Sequence, residues 1–319
     1  MSEADGSPAG EGWERKVLEK VALAAIAEQR AARRWGVVFK SLILLYLFVV
    51  LFVGIGWIKR SDYKPPGRHT ALVELRGVIA ADSQASADNV TSGLQAAFKD
   101  SNTVGVVLRI NSPGGSPVQA GYINDEIRRL RGLHPDIPIY AVVEDICASG
   151  GYYVAVATDK IFVDKASIVG SIGVVMDGFG FTGTMEKLGV ERRALASGEN
   201  KKFLDPFSPL VPAQKEYAEQ MLSEIHQQFI AVVRNGRGKR LKESPDMFSG
   251  LIWVGQKSVE LGLADGLGSL DSVARDVIKA EDVVDFTPRE NVAERLARKF
   301  GMTLAEALLR SPSGSAQLR

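Results

Sequence analysis

Cysteine is almost absent from this chain. Cys147 is the sole one in 319 residues, so no disulfide closes within the chain and no cysteine-ligated metal site can be built. An extracytoplasmic location stays open, because many such domains lack disulfides. Histidine is scarce as well. His69, His134 and His226 lie far apart and form no HExxH pair, which argues against a metallohydrolase. An excess of either charge is also missing: 39 basic side chains face 38 acidic ones, for a net charge of +1. Nothing in that total points to a nucleic-acid partner, and the only basic runs of note flank one apolar segment. What is plentiful is apolar character, at 45% of residues, enough for a large packed domain plus a short appendage.

The apolar segment is Ser41–Ile58, SLILLYLFVVLFVGIGWI, eighteen residues without a charge. At about 1.5 Å per residue this is near the minimum for crossing a hydrocarbon core of roughly 30 Å. Trp35 and Trp57 stand near its ends, where interfacial aromatics belong, and Lys40 and Lys59 can reach outward. Forty residues precede it and Gly54-Ile55-Gly56 is a poor cleavage site, so it reads as an uncleaved anchor and not as a signal peptide. A core helix would show a polar face, and this run shows none. Basic residues are balanced on its two sides, so charge alone gives no orientation.

The chain around it divides by composition. Residues 1–12 are small, acidic and Gly-rich and read as disordered; Trp13–Arg34 has helical spacing. The organisation expected is an N-terminal cytoplasmic segment at 1–40, the span at 41–58, a Pro-Pro-Gly linker at 59–70, one domain at 71–287 and a basic, Ser-rich tail at 288–319. Within the domain, strands are expected at Ala71–Ala80, Val104–Ile110, Ile137–Glu144 and Lys160–Asp164. Helices are expected at Asn89–Lys99, Pro117–Gly132, Gly150–Ala157 and Ala213–Val233, with a strand-helix unit in Ser249–Asp265. Strands alternating with helices predict an α/β domain with mostly parallel pairing.

Two Gly-rich turns close strands. Asn111-Ser112-Pro113-Gly114-Gly115-Ser116 follows LRI, and Cys147-Ala148-Ser149-Gly150-Gly151 opens the helix YYVAVA. A serine between strand and helix has its hydroxyl at the helix start, and adjacent N–H groups can face a developing oxyanion. Such turns are more often structural or phosphate-binding. This one is also not the GxSxG elbow, because Cys147 stands two residues before the serine. None of the three histidines has an evident orienting acid. A lysine held neutral by burial can act as base, but spacing alone does not locate it. Cys147 and the Tyr152-Tyr153 pair read as packing residues, and Asp205-Pro206-Phe207 as a turn that fixes the segment before it.

The blocks LRINSPGGS (108–116), CASGGYYVA (147–155), IVGSIGVV (168–175) and SGENKKFLDPFSPL (197–210) stand in one order. Together they resemble the S49 family of Ser-Lys peptidases, of signal peptide peptidase A type and in its short, single-repeat form. The resemblance runs from about Ala71 to Val277. It implies a crotonase- or Clp-protease-like α/β fold behind one N-terminal transmembrane helix. It implies Ser149 as nucleophile, Lys201 as general base in preference to the adjacent Lys202, and Ser171 as the group that orients the lysine. The backbone N–H groups of Gly114 and Gly150 are the oxyanion donors it implies. It calls for no cofactor and no metal. The partners implied are cleaved signal peptides, the bilayer, and further copies of the chain in a ring- or dome-shaped homo-oligomer, octamers among them, with no nucleic acid. The location implied is a bacterial inner membrane, with the N-terminus cytoplasmic and the catalytic domain outside. Two other readings compete: a non-catalytic membrane scaffold on a peptidase fold, and a crotonase-type acyl-CoA enzyme.

Overall fold

The computed structural model describes residues 11–54 and 67–288, with side chains at 15–50 and 67–288. The chain separates into two compact units, one holding the N-terminal helix and the other spanning residues 63–289.

The first unit contributes α1 (Glu11–Gly54), a single helix of 44 residues, about 66 Å long at the usual rise. It joins the expected leader helix to the start of the apolar run without a break. From Leu42 to Val50 its large apolar side chains are exposed. Among the described residues no helix is long and apolar enough to cross a membrane. Residues 55–58 of the expected span, most of the linker, residues 1–10 of the leader and nearly all of the tail lie outside the described residues.

The second unit is an α/β layer structure. Its elements are β1 (His69–Arg76), α2 (Ala87–Lys99), β2 (Thr103–Ser112), α3 (Pro117–Leu133), β3 (Ile139–Ala148), α4 (Gly150–Ala155), β4 (Lys160–Val163) and β5 (Ile168–Gly170). Then come α5 (Thr182–Lys187), α6 (Pro212–Arg237), β6 (Ile252–Val254), α7 (Gly255–Glu260), β7 (Gly266–Leu267), α8 (Leu270–Ser272) and β8 (Val283–Asp285). The strands form one sheet in the order β6-β5-β3-β2-β1-β8, with β4 joining β3 to β7. Every pairing is parallel except that of β5 with β6.

Parallel strands need both faces covered, and the apolar runs of β1, β2 and β3 meet that demand. Val73, Leu75, Leu108, Ile110 and Val143 pack on one side with Val90 and Leu94 of α2 and Ile123 and Ile127 of α3. On the other side Leu72, Val107 and Val142 pack with Val273 behind α8. Each fully buried aliphatic side chain contributes roughly 1.5–3 kcal/mol. Local signals set the helix starts: Ser86 caps α2 by accepting the Asn89 N–H, and Ser116 caps α3, where Pro117 occupies the first turn.

One expected strand is shorter than its pattern. Ala71–Ala80 ends at Arg76, because Gly77 takes φ +88° and turns the chain out of the sheet. Ile79 then makes an isolated bridge to Gly115, tying this turn to the one after β2. The expected helix Gly150–Ala157 stops at Ala155.

Candidate active site

The two Gly-rich turns singled out in the sequence, and the turn at Ser171, leave neighbouring parallel strands at the same edge of the sheet. Ser112 pairs with Cys147 and Ala148 with Gly170, so β2, β3 and β5 finish side by side. Crevices beyond the carboxyl ends of such strands are the usual ligand sites of open α/β sheets. Here a cavity of about 430 Å³ opens there, with Gly115, Ser149, Gly150 and Ser171 in its wall.

Ser149 sits at the start of α4 with φ 51° and ψ −122°, a region few L-residues adopt and one that costs of order 1–3 kcal/mol. A serine at a helix start ordinarily caps the helix, but the Ser149 hydroxyl makes no capping bond. Its N–H donates to the Gly170 carbonyl at 2.8 Å, which fixes the turn while the hydroxyl remains uncommitted. Cys147, two residues earlier, is fully buried; burial pushes its thiol pKa up and keeps it out of thiolate chemistry.

The glycine pair after β2 approaches this serine closely. Gly114 has φ +102°, and a Cβ there would stand 2.7 Å from the Gly150 nitrogen and 2.8 Å from Ser149 Cβ. The Gly114 N–H is already engaged, donating to Ser112 Oγ at 3.1 Å. The Gly114 carbonyl accepts the Ile79 N–H at 2.9 Å, and the Ser116 N–H donates to the Ile79 carbonyl at 2.8 Å. In a trans peptide the N–H of Gly115 points opposite to that carbonyl. It is therefore turned away from Ile79, and a Cβ built on Gly150 would lie 3.3 Å from its nitrogen. Among the described residues neither Gly115 N–H nor Gly150 N–H has a hydrogen-bond partner. The spare donor from this turn is thus Gly115, one residue beyond the Gly114 expected from the sequence. The two are alike in sequence, and only the peptide orientation separates them.

Ser171 repeats the strained geometry, with φ 52°. Its N–H donates to the Leu251 carbonyl at 2.8 Å, and the next carbonyl, of Ile172, accepts from His226 Nε2 at 3.1 Å. The rest of the cavity wall is largely apolar: Pro117, Ala120, Tyr153, Val174, Ile225 and Phe229.

Lys201 is exposed and does not line this cavity; among the described residues no hydrogen bond joins Ser149, Ser171 and Lys201. The segment that carries it, 174–211, holds α5 as its only helix or strand and is largely exposed, including Val175, Phe179, Leu188 and Leu195. It is braced internally. Arg192 Nε reaches Asp205 Oδ2 at 2.9 Å and its guanidinium lies over Phe207, which stacks on Phe181. The Ser208 hydroxyl and then the Phe207 N–H and Arg192 hold the Asp205 carboxyl below its ordinary pKa. Asp205-Pro206-Phe207 is thus a brace for the lysine segment. Lys202 donates to the Ala194 carbonyl at 2.7 Å and is tied down, whereas its neighbour Lys201 is not.

Comparison with known proteins leads to the family that the motifs resemble. The profile of peptidase family S49 matches residues 132–284. A putative signal peptide peptidase SppA of Enterococcus faecium is 29% identical over 247 residues, 74% of this chain and 71% of that one. A putative protease of Synechocystis is 30% identical over 199 residues, 62% of this chain and 69% of the relative. A Na(+)/H(+) antiporter NhaA of Brucella melitensis is 46% identical over 182 residues, 57% of this chain. The chain spans only a quarter of that antiporter's length, 25%. With the profile lying over β3 to β8 and a protease relative matched across more than two thirds of its length, this chain belongs to peptidase family S49.

Proposed function

We propose that this chain is a membrane-anchored serine endopeptidase that cleaves remnant signal peptides and other membrane-associated peptides with a Ser149–Lys201 dyad. The observation that carries the reading is the Ser149 turn. A strained, uncapped serine shares one cavity with two unpaired backbone N–H groups, those of Gly115 and Gly150. Such an arrangement suits acyl transfer, because the donors await charge that develops only in the transition state.

In this mechanism neutral Lys201 takes the Ser149 hydroxyl proton as Oγ bonds to the peptide carbonyl carbon. The carbonyl oxygen becomes an oxyanion held by Gly150 N–H and a donor from the Gly114-Gly115 turn. The C–N bond then breaks, and the lysine returns the proton to the departing amine. Water repeats the sequence on the acyl-enzyme, again with the lysine as base. Ser171 orients the lysine. No cofactor enters this mechanism. The apolar cavity wall suits apolar or small side chains beside the scissile bond.

Because Lys201 is exposed and outside the cavity of its own chain, we place the completed dyad between copies of the chain in a ring- or dome-shaped oligomer. The apolar run at 41–58 anchors each copy in a bacterial inner membrane, with the N-terminus cytoplasmic and the catalytic domain outside. The crotonase- or Clp-like fold group belongs to the same reading, by resemblance.

The test is hydrolysis of a fluorogenic apolar peptide by purified full-length variants. Ser149→Ala and Lys201→Ala are expected to lose it, and Lys202→Ala to keep most of it. Undiminished cleavage by Ser149→Ala would sink the mechanism. Loss in Lys202→Ala with retention in Lys201→Ala would move the base to its neighbour. The activity of the unmodified chain should rise with pH, since only the neutral amine accepts the serine proton.

A further inference from the structure

No histidine takes part in the mechanism above, yet His226 lies against the site. It stands on α6 beside Ile225, and Ile225 and Phe229 both form cavity wall. Its Nε2 is 3.1 Å from the Ile172 carbonyl oxygen. A carbonyl only accepts, so the proton is on Nε2 and the imidazole is the donor. That nitrogen is therefore not free to serve as a base.

The contact matters because of what precedes it. Ser171 is held at φ 52°, and a non-glycine residue keeps such a conformation only where its surroundings over-determine it. On the upstream side two bonds do so, Ser149 N–H to the Gly170 carbonyl and Ser171 N–H to the Leu251 carbonyl, each at 2.8 Å. On the downstream side the Gly173 N–H turns back to Ser171 itself at 2.9 Å, which fixes nothing outside the turn. Past Gly173 the chain runs without strand or helix until α5, and Val175 is 82% exposed. Among the described residues the imidazole of His226 is the one side chain that hydrogen-bonds the Ser171-Ile172-Gly173 turn to another element.

We propose that His226 is a positioning residue: by donating Nε2–H to the Ile172 carbonyl it clamps the Ser171 turn to α6 and keeps Ser171 in the wall of the Ser149 cavity. The proposal rests on the reading of Ser171 as the group that orients the lysine. The buried Ile172 side chain still holds the turn to the core, so loss of the clamp releases only its carbonyl side and lets Ser171 shift within the cavity wall. The nucleophile, the oxyanion donors and the wall residues on α3, α4 and α6 are untouched, so turnover should suffer more than substrate binding.

The experiment measures kcat and KM on the peptide above for full-length His226→Leu, His226→Gln, Ser171→Ala and the His226→Leu/Ser171→Ala double variant. His226→Leu, which keeps the bulk and loses the donor, should lower kcat about tenfold, the worth of one lost hydrogen bond, with KM little changed. His226→Gln retains an N–H at a similar reach and should recover most of the loss. In the Ser171→Ala background the leucine substitution should cost nothing further, because two residues acting through one turn are not additive. Unchanged kcat in His226→Leu overturns the proposal. So does an equal loss in both backgrounds, or a glutamine variant no better than leucine. Hydrolysis surviving in Ser149→Ala would instead reject the underlying peptidase reading.

Discussion

At the scale of single residues, the serine that sequence reading overlooked is Ser112. It is fully buried, and its hydroxyl donates to the Gly77 carbonyl at 2.6 Å while accepting the Gly114 N–H at 3.1 Å. One side chain thereby pins the turn after β1 to the turn after β2. It also occupies the Gly114 donor, and the peptide orientation turns the Gly115 N–H away from Ile79. Ser112→Ala leaves a buried donor unsatisfied, at about 1–3 kcal/mol where no water enters, and removes a partner from the half-buried Gly77 carbonyl. The expected outcome is a thermal midpoint lowered by several degrees and a reduced kcat, read by calorimetry and the peptide assay. A variant that matches the unmodified chain in both would mean that the pair of turns holds itself together. In the sequence NSPGGS this serine is indistinguishable from any turn serine. Its role depends on Gly77, which is 35 residues away and adjacent only because β1 and β2 pair in parallel.

At the scale of elements, α6 and α4 both carry site residues and are both tied to the segment Gly262–Asp265, α6 through a charged lock. Arg237, at the C-terminal end of α6 and 1% exposed, donates from Nε to the Gly262 carbonyl and from Nη1 to Asp265 Oδ2, both at 2.8 Å. Asp265 also accepts the Ile161 N–H of β4 at 2.7 Å, and the Tyr152 hydroxyl of α4 donates to the Leu263 carbonyl at 2.8 Å. Burial alone would raise the Asp265 pKa. The bond and charge of Arg237, with the Ile161 N–H and Arg240, outweigh it and leave the carboxyl below its ordinary 3.8. A lowered folded-state pKa means that the unfolded chain binds more protons in acid. The stabilisation is therefore whole above about pH 5 and is lost as pH falls through the folded value. Asp265→Asn, which strands a buried arginine, should lose about 3–5 kcal/mol at neutral pH and show a flatter acid limb. Denaturant titrations of both proteins from neutral pH downward measure it; parallel acid limbs would exclude Asp265 as the source.

These elements also show what the sequence could and could not disclose. Alternation of apolar strands with amphipathic helices located β1 to β4 and α2, α3 and α6 within a few residues, since burial on both faces leaves a local imprint. β6 and α7 form the strand-helix unit expected in Ser249–Asp265, but the short strands β5 and β7 carry little such signal, because their pairing partners are distant in sequence. Ser149 stood out through its strand-Gly-Gly context, whereas its strained backbone, the His226–Ile172 hydrogen bond and the Arg237–Asp265 lock are products of tertiary approach.

At the scale of the whole molecule, a single chain holds Ser149 and Ser171 in one cavity and leaves Lys201 exposed on a separate, internally braced segment. Burial disfavours the charged form of a lysine, so cover over the Lys201 side chain would favour a basic role. The exposed Phe179, Leu188 and Leu195 on the same segment give it an apolar surface to bury, and another copy of the chain offers an open, largely apolar-walled cavity that holds Ser149. If copies close on one another head to tail, each nucleophile meets the lysine of its neighbour. Ser149→Ala chains keep the lysine and Lys201→Ala chains keep the serine, so under the proposed dyad each is expected to be inactive alone. When the two are mixed in equal amounts and allowed to exchange, random assembly pairs an intact serine with an intact lysine at about a quarter of the sites. Hydrolysis should therefore return to about that fraction of the unmodified activity, in step with subunit exchange followed by fluorescence transfer between labelled copies. Exchange without any return of activity would mean that each chain closes its own lysine segment over its own serine.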